Sequence, residues 1–272
     1  MTTTDPIITL YWLNQSRSQR VLWLLEELGV PYTLETAQRS PDKMAPVAAK
    51  DIHPLGKYPM VVIDGRVLAE SGLIVETLIE RFAPDTLQPP RADVDEYLRY
   101  RYFMHYAEGS FMPPMLVAVI VKGIREAPVP FFVKPLLNMV AAKVPPPLPN
   151  PLRGREGVCA DRGGKQVEES YLQPQFETHL GFLEDELKDR DYMAGGKLTG
   201  ADIMMSFPLV AADGRISGYT RDRYPSIFAY IDRLKTREAY VKAKKVVSSS
   251  FLLGRIQANR CRRKIWKVGL CR

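Results

Sequence analysis

The chemistry available to this sequence begins with serines at the predicted starts of two helices. Ser16 begins the pattern S-R-S-Q, and Ser71 follows Glu70 directly before an apolar run. A serine in such a position accepts hydrogen bonds from unpaired N–H groups, and S-x-x-Q is the pattern of a capping box. The same N–H groups bind anions. Each serine is therefore a cap, part of an anion site, or both, because the two roles use the same donors.

Cysteine and histidine add no chemistry to the predicted core. Of the three cysteines, Cys261 and Cys271 lie in a basic C-terminal tail, and Cys159 lies in a stretch rich in proline and glycine. This placement excludes a disulfide framework, a CxxC redox pair, a thiolate zinc site and a cysteine nucleophile in the core. The histidines at 53, 105 and 179 lack metal-ligand spacing, so we expect no metal cofactor.

The net charge of +7 comes from the C-terminal tail alone. Residues 255–272 carry seven Lys and Arg and no acid, so residues 1–254 sum to zero. A neutral body argues against nucleic-acid binding by the folded part. Binding through the tail alone is a rival class, and it would depend steeply on salt. With 46% hydrophobic residues, no apolar run long enough for a membrane span and no signal-peptide layout, the sequence predicts a soluble, cytoplasmic protein.

The elements that must position Ser16 and Ser71 form a small α/β unit. Residues 7–12 are typical of a strand, and a helical apolar pattern from Val21 to Leu28 follows, with Gly29 as its C-cap. Residues 30–36 indicate a second strand, and residues 60–68 indicate a hairpin that turns at an Asp-Gly pair. The next helix begins at Ser71 and puts its apolar side chains on one stripe: Leu73, Ile74, Leu78, Ile79 and Phe82.

The rest of the sequence is helical after a linker at 86–92. Helical composition covers five stretches, at 93–122, 129–143, 167–190, 199–215 and 226–243. Thr199 lies directly before an apolar run, so it can cap a helix while Asp202 reaches back to it. We therefore predict two domains, at 1–86 and 93–250, and a basic tail at 251–272.

Residues 144–166 interrupt the helical part with five prolines, four glycines and a cysteine. A structureless insertion of this length is unusual inside a compact helical domain. The stretch begins with Val144, whose codons begin with GT, and ends with Gln166, whose codon can end in AG. These are the boundary dinucleotides of an intron. The sequence thus predicts a disordered insertion or a retained intron, and a genuine loop is the alternative.

Five motifs in order resemble the glutathione transferase family, most closely its fungal Gtt-type group and similar bacterial enzymes. They are YWLNQSRSQR at 11–20, HPLGKYP at 53–59, LAESG at 68–72, LTGAD at 198–202 and YPSIFAY at 224–230. The resemblance covers roughly 1–143 and 167–245. It implies an α/β thioredoxin-like N-terminal domain that carries the glutathione site, an all-α C-terminal domain that carries the second-substrate site, and a homodimer.

The resemblance puts the sulfur of glutathione at the turn around Ser16. This residue matches the serine that donates to the thiolate in theta- and delta-like enzymes. Tyr11, near a strand end, and Asn14, in the loop that faces the sulfur, compete with it for that role. Arg17 would steer the anion, and its alternative is an exposed surface arginine.

The γ-glutamyl and cysteinyl parts of glutathione have their own matching residues. In the family, the pair that corresponds to Glu70 and Ser71 takes the ammonium and the carboxylate of the γ-glutamyl group. Tyr58-Pro59 resembles the cis-proline turn whose backbone binds the cysteinyl part.

The glycyl carboxylate and the second substrate complete the implied site. Lys57 and His53 would meet the glycyl carboxylate, and a solvated surface pair is the alternative. The second-substrate pocket is expected on the first long helix of the C-terminal domain, where aromatic and methionine stripes also form ordinary core. Its candidate residues are Tyr102, His105, Tyr106, Ser110, Met112 and Met115.

The resemblance implies an enzyme that activates glutathione, its co-substrate, as the thiolate and conjugates it to small hydrophobic electrophiles. Glutathione peroxidase activity is an associated capacity, and the role is detoxification or secondary metabolism. The alternative is a non-catalytic glutathione-binding or protein-interaction module of the same fold. A thiol-disulfide oxidoreductase is disfavoured because the predicted site has no cysteine.

Overall fold

The computed structural model describes residues 6–41, 43–125 and 171–248. Its four strands are β1 (Ile8–Leu13), β2 (Thr33–Ala37), β3 (Met60–Ile63) and β4 (Arg66–Ala69). They form one sheet in the order β2-β1-β3-β4, in which only the β1–β2 pair is parallel. Helix α1 (Ser18–Leu28) joins β1 to β2, and helix α2 (Ser71–Phe82) follows β4. This arrangement confirms the predicted thioredoxin-like fold.

The local structure of this unit follows its apolar pattern. Along β1, buried and half-buried residues alternate, and α1 buries residues 21–25 in one continuous run. The helix ends at Gly29, whose φ of 63° is a conformation that favours glycine. The hairpin turns at Asp64 and Gly65, with φ of 50° and 82°, as a type I′ turn requires.

In the residues that the structure describes, the C-terminal part consists of helices joined by turns. Its helices are α3 (Val94–Tyr106), α4 (Met112–Arg125), α5 (Gln173–Leu187), α6 (Gly200–Ala212), α7 (Pro225–Thr236) and α8 (238–248). The predicted helix at 129–143, the stretch 144–166 and the basic tail lie outside the described residues. Among the helices of the described ranges, none is both long and apolar enough to cross a membrane.

Two helices predicted as continuous are interrupted. Between α3 and α4 the chain makes a π-helical turn at Ala107–Phe111. Pro113 and Pro114 follow this turn, and their missing N–H groups leave two carbonyls of the turn without the usual helical donor, which a wider turn accommodates. Between α7 and α8, Arg237 has an extended backbone with ψ of 135°. Its guanidinium binds both carboxylate oxygens of Glu27 on α1, at 2.6 and 2.9 Å.

The predicted stripe of α2 is wrong at one position. Leu73 is 50% exposed, and Val75 joins Ile74, Leu78 and Ile79 in the core instead. The reason is that α2 packs against both α1 and α6, so its buried face includes neighbouring positions rather than one narrow row.

Helix α6 lies at the centre of the molecule, and its predicted capping box is confirmed. Asp202 Oδ2 accepts from the N–H of Thr199 at 2.7 Å, and Oδ1 accepts from the N–H of Met193 and the hydroxyl of Tyr230 at 2.8 and 3.0 Å. Burial raises the pKa of Asp202 to about 6, against the opposing effect of these hydrogen bonds. Gly200 permits close packing here, because a Cβ would lie 2.6 Å from a side-chain carbon of α2.

Candidate active site

Ser16 lies in the turn between β1 and α1 and is 7% exposed. Its hydroxyl donates to the carbonyl of Leu13 at 2.8 Å and accepts from the N–H of Ser18 at 3.1 Å. The Oγ atoms of Ser16 and Ser18 are also 2.8 Å apart. The residue before Ser16 has a φ of 49°, which turns the chain from the strand toward the helix. The hydroxyl is thus held close to the N-terminus of α1.

The predicted capping box at Ser16 is wrong. Arg17 occupies the N-cap position of α1 and makes no side-chain cap bond. The hydroxyl of Ser16 instead accepts from the N–H two residues ahead, which is the pattern of a serine turn. The N–H of Gln19 reaches only the carbonyl oxygen of Ser16, at 3.4 Å. The side chain cannot cap because its hydroxyl is already engaged with Leu13 and Ser18.

The two competitors of Ser16 both precede it in the chain. Tyr11 is half-buried on β1 and pairs with Met60 in the neighbouring strand. Burial and then the nearby Tyr11 raise the pKa of Tyr58. The side-chain oxygen of Asn14 accepts from the N–H of Arg39 at 2.8 Å, so it is engaged with the loop after β2.

Arg17 is part of an ion-pair cluster that connects α1 to the π-helical turn. Its Nε lies 2.9 Å from a carboxylate oxygen of Glu108, and Arg20 binds the other oxygen of the same carboxylate. The side chain of Arg20 is fully buried, and its guanidinium lies 5.3 Å from the ring centre of Phe207 on α6. Desolvation lowers the pKa of Arg20 to about 10, although Glu108 opposes this effect. Arg20 therefore remains charged at neutral pH.

Sequence reasoning missed Glu108 and Arg20. The available signal was an arginine at the edge of the apolar run of α1, because a buried arginine requires a partner. The partner lies 88 residues away in the chain, so the sequence alone does not identify it. No group of three or more His, Cys, Asp or Glu among the described residues is placed to hold a metal ion. The charged groups around the turn at Ser16 include the two arginines, Glu108 and Arg39, whose guanidinium donates to the carbonyl of Gln15 at 3.4 Å.

Glu70 and Ser71 lie at the N-terminus of α2, and the expected N-cap at Ser71 is one residue too late. Glu70 is the N-cap residue, and Ser71 is the first helical residue and is 4% exposed. The expected cap at Ser71 is therefore wrong, because Ser71 lies inside the first turn. The N-cap position before it belongs to Glu70, which makes no side-chain cap bond. Glu70 has a φ of 75°, a strained conformation for a residue with a side chain. The strain fixes the direction in which the chain enters α2.

The peptide bond between Tyr58 and Pro59 is cis, as the resemblance implied, and it directly precedes β3. Pro59 is buried, whereas Lys57 is exposed. His53 is half-buried, and its Nδ1 accepts from the N–H of Leu55 at 3.3 Å. This segment therefore leads from His53 and Lys57 into β3, whose first residue, Met60, pairs with Tyr11 of β1.

The six pocket candidates lie on different faces of the α3–α4 helix. Met112 and Met115 are buried, whereas His105 and Ser110 are exposed. Two tyrosines share an aromatic cluster with α5: the rings of Tyr102 and Tyr106 stack at 5.5 Å, and the hydroxyl of Tyr106 lies 2.6 Å from Nδ1 of His179. Burial lowers the pKa of His179. The structure therefore does not place all six side chains on one surface of a single pocket.

Comparison with family models and curated proteins gives a consistent result over both parts of the chain. Residues 16–81 match the model "Glutathione S-transferase, N-terminal domain", and residues 159–233 match "Glutathione S-transferase, C-terminal domain". Glutathione S-transferase 1 of Saccharomyces cerevisiae is 31% identical over 247 residues, covering 88% of this chain and 94% of the relative. Glutathione S-transferase 3 of Schizosaccharomyces pombe is 32% identical over 209 residues, covering 76% and 74%.

Solved structures match the same architecture. A glutathione S-transferase from Actinobacillus pleuropneumoniae superposes with a TM-score of 0.64 and 28% identity, over 88% of this chain and 92% of that one. A Phanerochaete chrysosporium protein, crystallised with 1-(S-glutathionyl)-2,4-dinitrobenzene, has a TM-score of 0.63 and 19% identity, over 92% and 98%. At that identity, the second match supports the fold alone.

Proposed function

The chain belongs to the glutathione S-transferase family, and on that basis we propose that it binds glutathione, ionises its thiol and conjugates the sulfur to small hydrophobic electrophiles. The observation that carries the proposal is the buried Ser16 hydroxyl at the N-terminus of α1, directly followed by Arg17. A hydroxyl donor, a helix N-terminus and a cation each stabilise an anion.

The required stabilisation is modest. A free thiol has a pKa of about 8.5, and lowering it by about two units takes roughly 2.7 kcal/mol of preferential interaction with the thiolate. A charge-assisted hydrogen bond from Ser16 and the N-terminal end of α1 supply a stabilisation of that size together. In this proposal Ser16 donates to the sulfur. Tyr11 and Asn14 are its competitors, Asn14 through its side-chain NH2 group, since its oxygen already accepts from the N–H of Arg39.

The γ-glutamyl end of glutathione would be bound at the start of α2. The carboxylate of Glu70 takes the ammonium group, and the hydroxyl and N–H of Ser71 take the carboxylate at a helix N-terminus. The strained backbone of Glu70 supports this role, because strained residues persist where the surrounding structure fixes them and they cluster at binding sites.

The rest of glutathione would lie along the segment that ends at the cis peptide bond. The backbone of Tyr58 binds the cysteinyl part, with Pro59 fixing the turn, and Lys57 with His53 takes the glycyl carboxylate. The exposure of Lys57 supports contact with a charged group that remains partly in water.

The electrophile would bind against the helical part, near the π-helical turn. Of the six candidates, Tyr102, His105 and Ser110 are exposed there, whereas Tyr106, Met112 and Met115 belong to the buried core beneath them. In this division, residues 1–86 carry the glutathione site and residues 93–250 carry the second-substrate site.

We further propose a cytoplasmic homodimer with a detoxification or biosynthetic role. Exposed apolar side chains support the dimer: Leu73 on α2 and Val94 and Leu98 on α3 are 50%, 60% and 61% exposed. Burying such side chains against a second copy would remove apolar surface from water.

Glutathione-affinity retention combined with a conjugation assay tests the proposed function. We expect the full chain to be retained on immobilised glutathione and to conjugate 1-chloro-2,4-dinitrobenzene. Retention without turnover of several electrophiles, or of cumene hydroperoxide in a peroxidase assay, would favour the non-catalytic binding module. A lack of both retention and turnover would reject the glutathione site.

A further inference from the structure

Ser16 shares its hydrogen bonds with a second serine that is completely buried. Ser18 has no exposed surface, and its Oγ lies 2.8 Å from Oγ of Ser16. The same Ser18 oxygen accepts from the N–H of Leu13 at 3.2 Å. Ser16 Oγ in turn contacts the carbonyl of Leu13 and the N–H of Ser18. Two hydroxyls and three backbone groups thus form one closed set of bonds.

Counting protons fixes the direction of these bonds. A hydroxyl has one proton to donate and two lone pairs to accept with. The carbonyl of Leu13 can only accept, so Ser16 uses its proton there, and the N–H of Ser18 can only donate, so it occupies one lone pair of Ser16. The bond between the two hydroxyls must then use the proton of Ser18. This is the one arrangement in which every group of the set has a partner.

We propose, on the basis of the function proposed above, that Ser18 is a positioning residue that makes Ser16 a donor only. Both lone pairs of Ser16 are occupied by Ser18, one by its N–H and the other by its O–H. An incoming S–H group therefore finds no acceptor on Ser16. A thiolate beside the carbonyl of Leu13, which needs a donor, receives the proton of Ser16 through a small rotation of the O–H that leaves both bonds from Ser18 in place.

The exchange is favourable only for the ionised sulfur. Turning the Ser16 proton gives up a neutral acceptor, the carbonyl of Leu13, in return for the sulfur. Hydrogen bonds to a charged acceptor are roughly twice as strong as those to a neutral one. The Ser16–Ser18 pair therefore distinguishes thiolate from thiol, and it lowers the pKa of bound glutathione by more than a single hydroxyl would.

The test is the pH dependence of conjugation in a Ser18→Ala variant of the full chain. Removing the Ser18 hydroxyl frees one lone pair of Ser16, which can then accept from S–H. We expect the pKa of bound glutathione, followed by thiolate absorbance and by the pH profile of kcat, to rise by about one unit. This corresponds to about tenfold less thiolate below the pKa. The rate should recover at alkaline pH, and the KM for glutathione should stay within about twofold.

Ser206→Ala is the matched control. Ser206 is also a buried serine, but its hydroxyl donates only to a carbonyl of its own helix, at 2.8 Å. This variant should keep the wild-type pH profile. A purely structural role of Ser18 would lower the rate equally at every pH, and that result would overturn the inference.

Two further variants keep the test decisive. Ser18→Thr retains a hydroxyl and should restore the wild-type profile. Ser18→Cys fills the same space with a weak donor and should reproduce the shift even if Ser18→Ala does not fold. An unshifted profile in Ser18→Cys, in an enzyme that conjugates glutathione normally, rejects the role of Ser18 alone. A wild-type chain that neither binds nor conjugates glutathione rejects the proposed function instead.

Discussion

The polar cluster around Asp202 lies at the start of α6, and the polar cluster around Glu108 contacts Phe207 on the same helix through Arg20, yet the two differ in how completely they are paired. Asp202 is fully buried, and both of its oxygens accept hydrogen bonds. The side chain of Glu108 is 33% exposed and is shared by two arginines. Within the described ranges, Nε and Nη2 of Arg20 have no hydrogen-bond partner. The closed cluster stabilises the fold, whereas the open one places uncompensated positive charge near Ser16.

The largest expected effect comes from opening the closed cluster. Asp202→Ala leaves buried donors on Met193, Thr199 and Tyr230 without an acceptor. Each unsatisfied donor costs about 1–3 kcal/mol, and relief from burying a charge offsets part of the total. We expect the free energy of unfolding to fall by about 4 kcal/mol, measured by urea denaturation.

Asp93→Ala is the matched control for Asp202→Ala. Asp93 also caps a helix, accepting from the N–H of Glu96 at 3.3 Å, but it is exposed to water. Its loss should cost about 1 kcal/mol. If Asp202→Ala costs no more than this control, the contrast between a closed and an open polar cluster is wrong.

A smaller effect is expected in the open cluster. Glu108→Gln removes the charge that faces the buried Arg20, and with it the effect of Glu108 that opposes desolvation, so the pKa of Arg20 falls further. The glutamine oxygen still accepts one hydrogen bond, so we expect a loss of about 2 kcal/mol, less than for a fully broken buried ion pair. Urea denaturation measures the loss. Arg17→Met, which removes the partly exposed arginine, should change stability by less than about 0.5 kcal/mol.

A double variant shows whether the stability lost in Glu108→Gln comes from the unpaired buried charge of Arg20 or from lost packing. Replacing both partners, as Arg20→Met with Glu108→Gln, leaves no unpaired buried charge and places an apolar side chain near Phe207. Stability should return to within about 1 kcal/mol of the wild type, since apolar replacements of buried ion pairs are often neutral. A double variant as unstable as Glu108→Gln alone would contradict this account of Arg20.

The separation along the chain between contacting residues explains which parts of the fold the sequence predicts. The partners that complete the capping box, Thr199 and Asp202, are three residues apart, so a local pattern was enough to identify them. The hairpin turn was equally local. The interruptions at Ala107–Phe111 and at Arg237 were missed, because the first depends on how two prolines are accommodated and the second on an ion pair with Glu27, 210 residues away.

The candidate site was predicted only in part, for a related reason. The roles of Ser16, Glu70 and Ser71 in glutathione binding stay predictions, whereas the expected caps at the two serines are wrong. A capping pattern does not show whether the hydroxyl has a competing partner, and at Ser16 the carbonyl of Leu13 and the hydroxyl of Ser18 compete successfully. Glu108 was missed because its contacts with the arginines of α1 span about ninety residues of chain.

The smallest expected effect concerns a pair whose burial is intermediate between the two clusters, Tyr106 and His179. Burial lowers the pKa of His179 below its usual 6.5, so the folded protein keeps the ring neutral at a pH where the unfolded chain binds a proton. The free energy of unfolding should therefore fall as the pH drops through about 6.5. His179→Gln should remove a few tenths of a kcal/mol of this fall between about pH 7.5 and 5.5, because solvent screens a half-buried ring.

Urea denaturation at the two pH values measures the difference, with His105→Gln, at an exposed position, as the control. Equal pH dependence in His179→Gln and the wild type would mean that partial burial does not couple this pair to folding, and would restrict such coupling to fully buried groups such as Asp202.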